Sequence, residues 1–255
     1  NFLMIEVVEL LEQFIWPFIR ISALMMTAPI FGSNALNVRI RIAVGAVITL
    51  LLFPSVTVPR IDPLAYDSIF PMLNEVFIGV SMGLALQVVS AAIILSGQVV
   101  SGGMGLGMAN MIDPNLGNIP TLSNFFLVLG LLIFLSLGGH LVLISMLAES
   151  FEYLPIGENA FSLASLEAFL SWSATMFVGA VSLVLPVVVS LLMINVCLGI
   201  ISRASPSLNI FAVGFPALIP IGLVLITLTT VFYYAKLETI WYAGFDQIRI
   251  FVKGS

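Results

Sequence analysis

Four stretches of this chain run for more than thirty residues without an Asp, Glu, Lys or Arg: residues 76–112, 114–148, 168–202 and 204–235. Drawn as straight helices, such runs reach roughly 50 Å, whereas the hydrocarbon core of a bilayer is about 30 Å thick. Each run must therefore break, tilt steeply, or continue outside the lipid inside a protein assembly. Two further uncharged runs, 21–38 and 42–59, have the length of a single span. Only 8% of the residues are charged and 60% are hydrophobic, against about 25% charged in soluble domains. The sequence thus describes an integral membrane protein, all-α and polytopic, made of long, broken helical hairpins.

Residues 101–120 are the exception to this apolar regularity. Gly102, Gly103, Gly105 and Gly107 each cost a helix interior roughly 1 kcal/mol relative to alanine, and Asp113-Pro114 and Pro120 impose breaks. Irregular backbone facing lipid would leave polar groups unmet at several kcal/mol each, so this segment is buried in protein or lines an aqueous cavity. Its remaining side chains include Met104, Leu106, Met108, Met111 and Ile112, apolar and adaptable, with methionine able to fill irregular gaps. An apolar loop on glycine joints suits a deformable closure. A plain connector covered by neighbouring helices has the same composition, and both readings stand.

Elsewhere the residues bear mainly on packing and topology. Residues 14–31 read as the first helix, with Arg20 inside it and paired with a partner subunit or snorkelling. A second helix follows Arg39 and Arg41 and ends near Pro54. Asp62, Asp67 and Glu75 form an acidic connector, and Glu149, Glu152, Glu158 and Glu167 another. Between them, Gly79 and Gly83, four residues apart, predict a stripe where helices approach closely. Gly138-Gly139-His140 interrupts a helix, with His140 as a satisfied polar residue at the break. Arg203, Pro206, Asn209 and Phe211 belong to a tight hinge between two apolar runs, and Pro216 and Pro220 start the return helix. The last segment, from Tyr233 on, carries Trp241, Tyr242 and Phe245 and reads as interfacial. Assuming six crossings, the positive-inside rule puts Arg39, Arg41 and Arg203 in the cytoplasm.

Several chemistries are disfavoured. A net charge of −5 without a basic patch argues against nucleic acid. The chain has one histidine and one cysteine, so no metal-ligand cluster or cofactor motif forms, and Cys197 reads as buried and inert. An intramembrane protease needs a placed serine and base or two carboxylates, which leaves no enzyme reading of weight. A small-molecule transporter remains the alternative, although inverted repeats and paired midplane charges are not evident.

Taken together, the motifs resemble the FliR/SctT family of type III secretion. The resemblance runs through Thr27-Ala-Pro-Ile-Phe-Gly32 and Val38-Arg-Ile-Arg-Ile42, then Glu75-Val-Phe-Ile-Gly-Val-Ser-Met-Gly83 and Gly97-Gln98. It continues with Gly105-Leu-Gly107, Asp113-Pro114, Gly139-His140, Ser150-Phe151 and Leu154-Pro155. Its most specific piece is Arg203-Ala-Ser-Pro-Ser-Leu-Asn-Ile-Phe-Ala-Val-Gly-Phe-Pro216, which includes Gly214, with Ser207 where many members have glutamine. The resemblance implies a flagellar export gate in the bacterial inner membrane and flagellar basal body. There the chain packs into a helical multi-subunit assembly with FliP, FliQ and FlhB family proteins, raised toward the periplasm, and passes unfolded export substrates. It further implies a FliP-like part at 1–165, a FliQ-like hairpin at 166–235 and an interfacial tail at 236–255. The family's plug corresponds to 102–117: Gly102, Gly103, Met104, Gly105, Leu106, Gly107, Met108, Met111, Ile112, Asp113 and Pro114.

Overall fold

The computed structural model of the protein describes residues 2–31, 37–59, 65–106, 121–158, 163–204 and 210–253. Among these there is no strand. The helices are α1 (Phe2–Thr27), α2 (Val38–Leu52), α3 (Ile69–Gly103), α4 (Thr121–Ser136), α5 (Gly139–Tyr153), α6 (Leu163–Ala204), α7 (Ile210–Leu228) and α8 (Thr230–Lys253). Short 3-10 turns at Phe53–Ser55 and Tyr66–Ser68 close α2 and lead into α3.

The four long apolar runs take two different routes. Two break. Gly138, with φ 68°, separates α4 from α5, and α7 and α8 bend by 66° at Thr229. The other two contribute long unbroken helices: α3, ending at Gly103, has 35 residues and α6 has 42, roughly 52 and 63 Å at 1.5 Å per residue. Among the described residues, three helical stretches are long and apolar enough to cross a membrane, or up to five if each bent pair is one span. In place of simple straight spans, the described elements are long or kinked.

Contacts divide the chain into two interleaved units. The first takes α1, α2, the start of α3, α5, the start of α6 and the end of α8. Its core holds Trp16, Ile21, Leu24, Ile78, Met82 and Trp241, all fully buried. Here α1 and α3 lie in intimate contact because Gly79 and Gly83 have no side chains. A Cβ at Gly79 would collide with the Arg20 carbonyl, and one at Gly83 with Thr27, coming within 3.0 Å of the Ala28 nitrogen. The small-residue spacing read from the sequence is thus a packing surface in the fold.

The second unit takes the rest of α3, α4, most of α6, α7 and the first half of α8. Gly97 lets α3 approach α4, since a Cβ there would stand 2.6 Å from Ser123 Cα. The Phe126 and Tyr233 rings meet at a tilt of 33°, with centroids 4.8 Å apart.

Several local expectations need correction. α1 begins well before residue 14, since Pro17 is accommodated inside it. Pro216 and Pro220 lie within α7 rather than at its start, as membrane helices tolerate when neighbours meet the freed carbonyls. Trp241 and Phe245 are buried, not interfacial. They belong to a stripe with Leu237, Ile248 and Val252 at helical spacing, which packs while Arg249 and Asp246 stay outside. Cys197 is exposed rather than buried, on the same open face of α6 as Met193 and Ile200.

Candidate functional site

A buried ion pair organises the first unit. Arg20 on α1 and Glu75 on α3 both have fully buried side chains. A charge in such a place is tolerated only when paired and hydrogen-bonded throughout. The guanidinium forks onto the carboxylate, with Nε donating to Oε2 at 2.7 Å and Nη2 to Oε1 at 3.1 Å. Its remaining protons go to α5 and the turn beyond it. Nη1 donates to the Ser150 carbonyl and Oγ at 2.8 and 3.1 Å, and Nη2 to the Leu154 carbonyl at 2.8 Å. The Phe151 ring lies beneath, 4.3 Å from Cζ to centroid, adding a cation–π contact. Arg20 therefore needs neither a partner subunit nor a route to the interface. Glu75 is a buried helix residue, not part of an exposed acidic connector. Asn74 next to it donates to the Glu158 carbonyl, fastening the turn after α5 to the same place.

Of the glycine-rich stretch, residues 101–106 are described. Gly102 and Gly103 form the last turn of α3 rather than a loop, because their neighbours hold the turn closed. Met104 N–H donates to the Val100 carbonyl and Gly105 N–H to the Gly102 carbonyl, both at 3.0 Å. Gly105 then adopts φ 74°, the left-handed conformation with which helices commonly stop. Met104 is buried, while Leu106 is half-buried. Gly107, Met108, Met111, Ile112, Asp113 and Pro114 lie outside the described residues.

Asn195, a polar residue in the apolar run of α6, now has a partner. Its Nδ2 donates to the Gly103 carbonyl at 3.3 Å and to the Leu191 carbonyl at 3.0 Å. Of the hinge residues, Arg203 is exposed in the last turn of α6, while Phe211, Gly214 and Pro216 belong to α7. Pro206 and Asn209 lie outside the described residues. His140 sits at the expected break, but its Nδ1 is buried and meets no hydrogen-bond partner among the described residues. No group of His, Cys, Asp and Glu able to hold a metal occurs among the described residues.

Fold and site together define an all-α polytopic membrane protein, keyed by an intramolecular ion pair, with a glycine-rich stretch of sequence at the end of its third helix. Residues 11–243 match the family described as "Bacterial export proteins, family 1". The chain is 36% identical over 219 residues to flagellar biosynthetic protein FliR of Pectobacterium carotovorum subsp. carotovorum, covering 86% of this chain and 84% of that one. It is 31% identical to FliR of Escherichia coli K12 over 84% and 82% of the two chains. With FliR of Bacillus subtilis 168 it shares 28% over 96% of each. The chain belongs to the FliR family. Much of its motif set meets at one point in the fold: Glu75, Gly79, Ser150, Phe151 and Leu154 all surround Arg20.

Proposed function

We propose that this protein is a subunit of the flagellar export gate, forming with FliP, FliQ and FlhB family proteins the channel through which unfolded flagellar proteins cross the inner membrane. The observation that carries this reading is the length and openness of α6. Its 42 residues reach about twice the hydrocarbon thickness. Large apolar side chains stand exposed along its whole length, among them Leu163, Leu170, Phe177, Leu185, Leu192 and Ile200. Lipid can cover only part of such a helix, so neighbouring protein covers the rest. Partner helices packed around an assembly raised toward the periplasm would do so.

Within that assembly, residues 1–165 serve as the FliP-like part and 166–235 as the FliQ-like hairpin, with Arg39, Arg41 and Arg203 on the cytoplasmic side. Residues 102–117 close the channel at rest. Apolar side chains exclude water and ions, and the glycines let the backbone move aside. No step of this function requires a cofactor or a chemical reaction of the protein.

The test has two arms. Cys197, exposed on α6 in the single chain, should react with a maleimide when the protein is made alone and be protected when FliP and FliQ are co-expressed. Equal labelling in both cases would remove the assembly reading. Deleting residues 107–112 should raise membrane conductance to small ions in complexes assembled at normal levels, and unchanged conductance would remove the plug.

A further inference from the structure

Of the three unbroken stretches among the described residues that are long and apolar enough to cross a membrane, Val38–Ser55 is the least buried. It consists of α2 and the turn that closes it, and it meets α1 along one narrow line. Gly45 sits on that line, where an added Cβ would stand 3.8 Å from Phe18 Cε2 and 3.9 Å from Ser22 Cα. Ile48 and Thr49 are buried one turn further on, and Thr49 Oγ1 donates back to the Gly45 carbonyl at 2.7 Å. The rest of α2 is open: Val38, Ile40, Ile42, Val47, Leu50 and Leu51 are all exposed. Unlike α3 and α6, this stretch has a length that lipid alone can cover. Its 18 residues reach roughly 27 Å, against about 30 Å of hydrocarbon.

One stripe of the open surface carries a charge. Arg39, Ala43, Val47 and Leu50 stand at helical spacing, four, four and three residues apart, and all four are exposed. The Arg39 guanidinium forms no ion pair among the described residues. The backbone at this helix end is already satisfied. Asn37 Oδ1 accepts from the Arg39 N–H at 3.3 Å, and the Asn37 carbonyl accepts from those of Ile40 and Arg41 at 2.9 and 3.2 Å. An anion there falls to the side chain, whose planar fork suits a phosphate. From Arg39 to Leu50 the stripe runs roughly 16 Å, close to one leaflet, which is half of about 30 Å. A partner helix fits less well. Helices pack in membranes through small residues, and the glycine of α2 is already turned to α1, while Ile42, Val47, Leu50 and Leu51 dominate the open side.

We infer that the open stripe of α2 binds an anionic phospholipid, with its phosphate on Arg39 and an acyl chain along Ala43, Val47 and Leu50. Half-buried Arg41 adds positive charge at the same level. Lipid, not another subunit, covers this helix in the complete complex. The inference depends only on the chain lying in a bilayer, not on the export reading.

Brominated lipid tests the sheath in the complete export complex, reconstituted in vesicles of phosphatidylcholine and phosphatidylglycerol. Val47→Trp and Leu51→Trp, at positions 65% and 71% exposed, each add a fluorophore to the native tryptophans. Bromine on the acyl chains should quench the added emission as strongly as it quenches tryptophan octyl ester in the same bilayer. Emission shielded at both positions would overturn the inference by showing that another chain covers α2, and would leave membership of the complex untouched. The headgroup is read from the lipid that stays with the complex through detergent purification. Arg39→Gln should lower co-purifying phosphatidylglycerol about fivefold, the contribution of one arginine at an anionic surface, and Arg39→Lys should fall between the two. Arg249→Gln, at an exposed arginine of α8, is the control and should change nothing. Unchanged phosphatidylglycerol in Arg39→Gln, or an equal loss in Arg249→Gln, would each refute the site.

Discussion

Replacing Glu75 with glutamine changes one buried charge and almost no volume. Arg20 would keep its bonds to the Ser150 and Leu154 carbonyls, both at 2.8 Å, but lose the carboxylate that neutralises it. Removing one partner of a buried ion pair costs about 3–5 kcal/mol. For a chain of this size, 1 kcal/mol moves Tm by roughly 2–4 °C, so Glu75→Gln should lower it by about 6–20 °C. Replacing both partners with apolar residues, Arg20→Met with Glu75→Leu, should cost less. The Ser150 carbonyl keeps the Leu154 N–H at 3.0 Å, the Leu154 carbonyl loses its side-chain donor at about 1–3 kcal/mol, and the N–H of exposed Gly157 loses the Glu75 carboxylate but is open to water. The assay is thermal unfolding of the purified complex in detergent, single and double variants side by side. A Glu75→Gln complex melting within 2 °C of the parent, or a double variant less stable than the single, would refute this account of Arg20.

Gly79→Ala and Gly83→Ala should each destabilise by about 1–3 kcal/mol, as overpacking does, read as lower Tm of the complex. Gly199→Ala on α6, where a Cβ meets nothing within 4 Å, should leave Tm unchanged or raise it by up to about 1 kcal/mol equivalent. Gly105→Ala, forced into the left-handed region at φ 74°, should cost about 1–2 kcal/mol and raise ion leak in assembled complexes. Lys253→Ala, which removes a half-exposed pair with Glu149 at 3.5 Å, should cost less than about 1 kcal/mol by the same melting assay.

The parts of this fold that were legible in the sequence are those decided by neighbours along the chain. Gly79 and Gly83 announced a close helix contact because small residues four apart share a helix face, and Gly138 announced a break. What the chain hid was pairing at a distance. Glu75 stood near Asp62 and Asp67 and was grouped with them, yet its true companion lies on α1, and nothing local distinguishes a buried carboxylate from an exposed one. The burial of Trp241 is hidden for a related reason. Lys236, Glu238, Asp246 and Arg249 around it suggest an interface, while the buried stripe shows only once the helix is fixed. The candidate site was half visible. Glycines and methionines mark the stretch after α3, and Asn195 stands out in an apolar run, but nothing local links it to the Gly103 carbonyl it holds at 3.3 Å.

The Arg20 cluster also imposes a timetable on synthesis. Within the cluster Arg20 leaves the ribosome first, Glu75 follows 55 residues later and Leu154 134 residues later. At about 5–20 residues per second, the charge waits roughly 3–11 s for its counterion and about 7–27 s for its last carbonyl. During that interval an unpaired arginine at membrane depth costs about 2.5–3.5 kcal/mol, which favours holding α1 at the insertion machinery or the interface over releasing it into lipid. α1 is therefore made before its partners but seated after them, once α5 and the turn after it have emerged.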